Sequence, residues 1–200
     1  MISIIIPYCP DGGRRDINLE WVHGRLKAIL PDAEVITPIQ EQAPFSRSYT
    51  GNYGAKAASG DVRLLCDAAM IFDLDLIENG LKIVHDVPWI APMNQKWDLT
   101  WIASNRLLNM PPDIELKSLD LEIARKWGAE RCRGGAMLMI TKENYFRVGG
   151  FDERFNGWGY EDNAFFLLAN TILGEFVETD NIAYHLWHPS SINQYPALTL

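Results

Sequence analysis

Residues 134–166 read GGAMLMITKENYFRVGGFDERFNGWGYEDNAFF, and two Gly-Gly pairs, Gly134-Gly135 and Gly149-Gly150, divide the stretch. The first pair opens an apolar run from Ala136 to Thr141 that predicts a buried strand, and Lys142 to Val148 follows as a helix. The second pair leads into a loop of glycine and aromatics, Phe155 to Tyr160. Glu161 and Asp162 then begin an amphipathic helix that runs to Leu173. Two adjacent carboxylates therefore stand at a helix N-terminus beneath a Trp/Gly loop. The helix macrodipole favours acidic side chains there, so capping alone accounts for the carboxylates. It does not account for the loop, where a cap needs neither glycine nor aromatics. That composition suits a flexible, stacking wall for a sugar ring.

Working outward, the N-terminal half alternates strands with helices. Ile2 to Pro7 reads as a buried strand ended by Pro7 and the loop Cys9-Pro10-Asp11-Gly12-Gly13. Arg14 to Leu30 reads as a helix with Val22, Leu26 and Ile29 on one face. Ala33 to Pro38 is a short strand. A helix beginning at Ser46 or Arg47 runs to Ser59 and is stopped by Gly60. Val62 to Cys66 is a third strand with Asp67 at its carboxyl end. Asp73 to His85 is a helix and Trp89 to Pro92 a short strand. This alternation predicts an α/β fold with a mainly parallel sheet flanked by helices, whose ligands sit at the carboxyl ends of the strands. Between Met93 and Glu130 the pattern weakens. Trp97, Trp101, Pro111 and Pro112 suggest an excursion, with a short helix over Ser118 to Trp127. Glu175 to Thr179 and Ile182 to Trp187 are the closing strands.

At 200 residues, a single domain with a sizeable core is expected. The formal net charge of -8 and the lack of a dense Lys/Arg stripe argue against a general nucleic-acid binder. The three cysteines, Cys9, Cys66 and Cys132, are odd in number and make no CxxC, so neither a disulfide framework nor a zinc knuckle is expected and a reducing compartment fits. The opening MISIIIPYCP lacks a basic lead and a cleavage site, so it reads as a strand rather than a signal peptide. No stretch approaches the ~20 apolar residues that span a bilayer. A cytoplasmic, unanchored domain is the expectation.

Gly134-Gly135, Gly150-Phe151 and Gly157-Trp158-Gly159-Tyr160-Glu161-Asp162 occur in the order and at the spacing of a known hallmark. The segment resembles the β-1,4-galactosyltransferase and chondroitin-polymerase-like group of GT-A glycosyltransferases. The resemblance covers most of the chain and is weakest between Met93 and Glu130. It implies one GT-A catalytic domain over residues 1–200, transferring a hexose or N-acetylhexosamine from a nucleotide diphosphate sugar, UDP first among them. The acceptor would be a hydroxyl of a glycan, a protein or another molecule, and the transfer would invert the anomeric centre. Asp162 would be the general base and Glu161 a ligand of the acceptor hydroxyl. Gly134, Gly135, Trp158 and Gly159 would shape the sugar pocket, with Trp158 made mobile by its flanking glycines. Cys132, at the pocket's edge, would leave room for a C2 substituent.

The resemblance also marks a nucleotide site. Phe45-Ser46-Arg47-Ser48 and Asn52-Tyr53-Gly54 match the family's donor-site motifs, so Phe45 would stack on the base, and Arg47 and Asn52 would contact the nucleotide. An Arg at a helix start makes electrostatic sense where an anion sits. The loop from Pro7 and Tyr8 to Arg14 occupies the place where the family seats base and ribose. For the metal, an Mn²⁺-like divalent cation is expected on Asp67, His185 and His188. The His185-x-x-His188 pair stands where the family has Met-x-x-His. Imidazole is a common metal ligand, although surface histidines near a chain end are the plainer reading of the residues. The family's Asp-x-Asp is Asp67-Ala68-Ala69 here, so the second carboxylate is missing. Asp73-Leu74-Asp75 spells the motif but precedes a helix, where Asp73 is expected to cap. Two alternatives stay open: a non-catalytic nucleotide-sugar or glycan-binding module that lost its metal, and a nucleotidyltransferase, which would leave the Trp-Gly-Tyr-Glu-Asp loop unexplained.

Overall fold

A computed structural model of the chain describes residues 1–41, 44–128, 135–157 and 159–189. Three apolar strands form its centre: β1 (Ile2–Ile5), β3 (Val62–Cys66) and β8 (Met137–Thr141). Their side chains alternate between two cores. Ile4, Leu64 and Met139 belong to one cluster, while Ile5, Leu65 and Leu138 belong to the other. The sheet is thus covered on both faces, which is why these strands read as continuous apolar runs rather than alternating ones. The strand order is β2-β1-β3-β8-β5-β9, where β2 is Glu34–Ile36, β5 is Ile90–Ala91 and β9 is Val177–Glu178. Pairing is parallel for β1 with β2, β1 with β3 and β5 with β9, and antiparallel on both sides of β8.

The helices follow the expected alternation. α1 (Arg14–Ile29) buries Leu19, Val22 and Leu26, and α2 is Arg47–Ala57. α3 is Leu74–Ile83, α5 is Lys142–Val148 and α6 is Glu161–Leu173. Gly149 ends α5 in the left-handed conformation (φ 95°), the role glycine takes at helix C-termini. No described helix is long and apolar enough to cross a membrane.

The region from Met93 to Glu130 differs from expectation. It adds a second sheet, β4-β10-β6-β7, built from Met70–Ile71, Ile182–His185, Gln95–Leu99 and Ile123–Trp127. The expected helix over Ser118 to Trp127 is absent. A single 3-10 turn (Leu116–Ser118) is followed by β7, which pairs antiparallel with β6. Ile123 and Trp127 pack on the core while the residues between them stay exposed. That strand is specified by its partner rather than by its own period. α4 (Trp101–Leu108) also went unforeseen. It is capped by Thr100, whose hydroxyl accepts from the Ala103 N–H at 3.1 Å.

Asp73 sits at the start of α3 but makes no capping bond to that helix. Its carboxylate instead accepts from Arg25 Nη2 (2.8 Å) and from the backbone N–H groups of Leu116 (2.8 Å) and Lys117 (2.9 Å). It serves the 3-10 turn, and the buried Arg25 decides that orientation. Arg63, buried within β3, donates to the carbonyls of Ala58 (2.7 Å) and Ala55 (3.2 Å), and so satisfies the C-terminal end of α2.

Candidate active site

One cavity of about 660 Å³ opens at the carboxyl ends of β1 and β3, where Pro7 and Asp67 line it. Its opposite wall is the start of α6, with Tyr160, Glu161 and Asp162. The two walls meet at Arg47, the first residue of α2. Its Nε donates to Asp67 Oδ1 (3.0 Å), its Nη2 to the Gly135 carbonyl (3.0 Å), and its Nη1 lies 3.9 Å from Glu161 Oε1. Burial pulls the guanidinium pKa down, but Asp67, Glu161 and Asp162 outweigh it, so Arg47 stays charged. Its Nη1 and Glu161 Oε2 are buried without a hydrogen-bond partner. Buried polar atoms seldom stay unpaired unless a ligand or water serves them.

Glu161 and Asp162 differ in setting. The Glu161 side chain is only 11 % exposed. Burial pushes its carboxyl up, Arg47 opposes that shift, and Asp162 adds to it. Asp162 accepts from the Asn163 N–H at 2.8 Å and lines the open cavity. A Cβ on Gly135 would stand 2.7 Å from Asp162 Oδ2. Glycine at 135 is what allows the carboxylate to reach this position.

The other expected residues fall into two groups. Tyr8, Phe45 and Gly159 line the cavity together with Pro7, Arg47, Asp67 and Gly135. The Tyr8 hydroxyl donates to Asp16, and burial together with that bond raises the phenol's pKa. The Phe45 carbonyl accepts from the Gly157 N–H (3.2 Å), and Ser46 bridges to Gly157, so the donor-side segment holds one end of the glycine loop. Arg14 and Asn52 do not line the cavity. Arg14 turns to α4 and donates to Asn105, whereas the next residue, Arg15, lines the cavity. Asn52 is spent within the protein. Its Nδ2 donates to the Phe151 carbonyl (2.8 Å) and Glu153 (2.8 Å), and its Oδ1 accepts from Tyr145 (2.6 Å) and the Phe151 N–H (2.9 Å). It fastens the Gly150-Phe151 turn to α2. Gly134, Trp158 and Cys132 lie outside the described residues.

His185 and His188 line the same cavity with ring centroids 5.0 Å apart. Burial lowers both pKa values, so both rings are neutral near pH 7. The His188 Nδ1–H donates to the Pro189 carbonyl (2.9 Å), which leaves Nε2 as the lone-pair nitrogen. His185 Nδ1 is 4.0 Å from Asp98 Oδ1. The expected three-ligand set is not assembled, because no three His, Cys, Asp or Glu side chains among the described residues are gathered to hold an ion. Asp67 is engaged by Arg47, and Ala69 lines the cavity where a second carboxylate would stand. Two imidazoles fit a divalent ion only if a ligand supplies the remaining oxygens.

Sequence reasoning missed Arg15 and Lys96, both of which line the cavity, as does Tyr160 of the glycine loop. Arg15 was masked by its neighbour Arg14, although α1 can present only one of the two to the cavity. Lys96 lies on β6, inside the region read as an excursion, where its nitrogen is 3.4 Å from Asp98 Oδ1.

The chain is 24% identical over 158 residues to a Caenorhabditis elegans xylosylprotein 4-beta-galactosyltransferase, covering 76% of this chain and 46% of that protein. It therefore spans about half the length of that relative. Among solved structures, a Drosophila β-1,4-galactosyltransferase 7 variant in complex with manganese, UDP-Gal and xylobiose superposes with a TM-score of 0.58 at 14% identity, over 100% of this chain and 75% of that one. A Pyrobaculum calidifontis mannosyltransferase in complex with GDP-Man and Mn²⁺ gives a TM-score of 0.54 at 12% identity, over 92% of this chain and 56% of that one. Both neighbours share the GT-A architecture described above. The pattern of the glycosyltransferase-like family 2 matches residues 23–196, most of the molecule, and the chain belongs to that family.

Proposed function

We propose that this chain transfers a hexose or N-acetylhexosamine from a nucleotide diphosphate sugar, with UDP the preferred nucleotide, to an acceptor hydroxyl with inversion. The observation that carries this reading is the placement of Asp162. It lines the cavity opposite the carboxyl ends of β1 and β3, where a Cβ at position 135 would stand 2.7 Å from its Oδ2. The acceptor O–H would give its proton to the Asp162 carboxylate while its oxygen bonds to the anomeric carbon. The bond from that carbon to the diphosphate breaks, and its electron pair leaves with the nucleoside diphosphate. A positioned base contributes about 10²–10⁴-fold to such a step. Arg15, Arg47 and Lys96 offer positive charge to the leaving group. A divalent ion, when bound, would be held by His185, His188 and the donor's own oxygens, and would add charge at the same place. The relatives' ligands, UDP-Gal, GDP-Man and xylobiose, support a nucleotide-sugar donor and a hydroxyl acceptor.

Ala69 favours a second reading, a binding module without turnover. One titration series separates the two. UDP, GDP, UDP-Gal and UDP-GlcNAc are added to the protein with and without Mn²⁺ while Tm is followed and free nucleoside diphosphate is assayed. UDP at ten times its Kd is expected to stabilise by about 1.4 kcal/mol, and Mn²⁺ to tighten UDP rather than bind alone. Nucleotide binding with no sugar released or transferred would favour the module. No shift with any nucleotide would sink the transfer reading and leave a glycan-binding module as the surviving alternative.

A further inference from the structure

Asp98 stands on β6, in register with His185 on the parallel strand β10. The groups around its carboxylate are donors. Trp127 Nε1–H donates to Oδ2 (2.6 Å), the Lys96 ammonium lies 3.4 Å from Oδ1, and His185 Nδ1 lies 4.0 Å from the same oxygen. Oδ1 is buried and has no hydrogen-bond partner. Bracing of the β6–β7 ribbon accounts for the Trp127 bond, and the ion pair with Lys96 accounts for the charge. Neither accounts for a buried oxygen left unbonded beside a histidine, since such atoms are seldom left unpaired. The second histidine of the cavity shows the same arrangement completed. His188 Nδ1–H donates to the Pro189 carbonyl (2.9 Å), so its Nε2 keeps the lone pair. A neutral imidazole has one N–H and one lone pair, so an acceptor at Nδ1 decides what Nε2 offers. Both rings line the cavity, with centroids 5.0 Å apart. Imidazoles that hold a metal almost always give their other N–H to a carboxylate or a backbone carbonyl. His188 has the carbonyl, and His185 has the carboxylate within a small turn of its ring. Two Nε2 lone pairs suit a cation, whereas a bare diphosphate would call for N–H groups.

We propose that Asp98 is the positioning residue of His185: its Oδ1 takes the Nδ1–H of the ring and so keeps the Nε2 lone pair available to a divalent cation. Its negative charge, behind the histidine, stands in part for the carboxylate absent at Ala69. The inference rests on the metal-assisted form of the transfer reading given above. It names a residue in the region from Met93 to Glu130, where the family's motifs give no guidance. The pairing of β6 with β10 brings Asp98 to the histidine.

The test compares the full chain with Asp98→Asn and Lys96→Met. Asparagine keeps the shape of the side chain but has one oxygen, which cannot serve Trp127 Nε1–H and His185 Nδ1–H at once. Nitrogen NMR of the histidine rings, without metal or nucleotide, reads the tautomer. Calorimetry with Mn²⁺ in saturating UDP reads the metal. His185 is expected to carry its proton on Nδ1 in the parent and in Lys96→Met, and to shift toward the Nε2–H form in Asp98→Asn. Mn²⁺ affinity should fall about 10–100-fold in Asp98→Asn, the usual loss when such a partner is removed. A purely structural Asp98 would move neither reading. A parent with the His185 proton on Nε2 would overturn the proposal, and this reading needs no variant to fold. Parental tautomer and Mn²⁺ affinity in Asp98→Asn would overturn it as well, as would a parent that binds UDP but no Mn²⁺. The same tautomer shift in Lys96→Met would overturn it by making the ion pair the cause. Absence of UDP binding in the parent would instead sink the transfer reading, and the ring tautomers would still decide the role of Asp98.

Discussion

Gly135 and Asp162 are separated by a full strand, helix and loop in sequence, yet the missing Cβ of one makes room for the carboxylate of the other. Gly135→Ala should push the Asp162 carboxylate aside and cut turnover by at least about tenfold, since misplacing a catalytic group by an ångström carries a cost of that order. Steady-state kinetics check it, and an unchanged kcat would free Asp162 from this constraint. Glu161 gives a pH signature. Its folded pKa is raised by burial above the unfolded value of 4.5. Below that value both states are protonated and the residue carries no penalty. As pH rises through the raised folded pKa, the buried charge costs stability. Glu161→Gln removes that cost, so its Tm relative to the parent should climb as pH increases from about 4 to 7. A difference that stays flat with pH, or shrinks, would show that Arg47 fully offsets the burial.

At the scale of elements, α2 links the donor side to the glycine loop. Ser46 caps α2, its hydroxyl accepting from the Tyr49 N–H (3.2 Å) and donating to the Phe155 carbonyl (3.2 Å). Ser46→Ala is expected to cost about 1 kcal/mol as a lost cap. It should also raise the KM for donor, because the Phe45–Gly157 contact loses its brace. Denaturant unfolding and donor kinetics measure the two effects, and a stability loss without a KM change would separate the loop from the cap. How legible each element was follows from what specifies it. β1, β3, β8, α1 and α6 carry their own period or their own buried run, and the sequence shows them. β6 and β7 are half-exposed strands fixed by each other. Lys96 and Arg125 interrupt any apolar pattern there, so no local signal marks them. The site divides in the same way. The Glu161-Asp162 pair announces itself through the glycine loop, whereas Arg14 and Asn52 carry motif positions whose side chains turn inward for reasons of tertiary packing.

Across the whole molecule, the two sheets place strand ends and the start of α6 on one cavity of about 660 Å³, a volume suited to a small-molecule ligand. The cavity gathers Arg15, Arg47 and Lys96 despite the chain's net charge of -8. Local cations can thus hold an anionic donor on an acidic protein. Under the proposed reading, a divalent ion at this site would draw its missing oxygens from the nucleotide, because Ala69 supplies none, so chelation should weaken UDP binding without unfolding the protein. The proposed role of Asp162 as base is tested by the rate and stereochemistry of transfer by Asp162→Asn beside the parent. Both are followed by NMR of the anomeric proton with a UDP sugar and a glycoside acceptor. The parent is expected to give a β-linked product from an α-linked donor, and the variant to transfer at least about 10²-fold more slowly with UDP affinity retained. Transfer by Asp162→Asn at the parental rate, or a product that keeps the donor's α configuration, would contradict it.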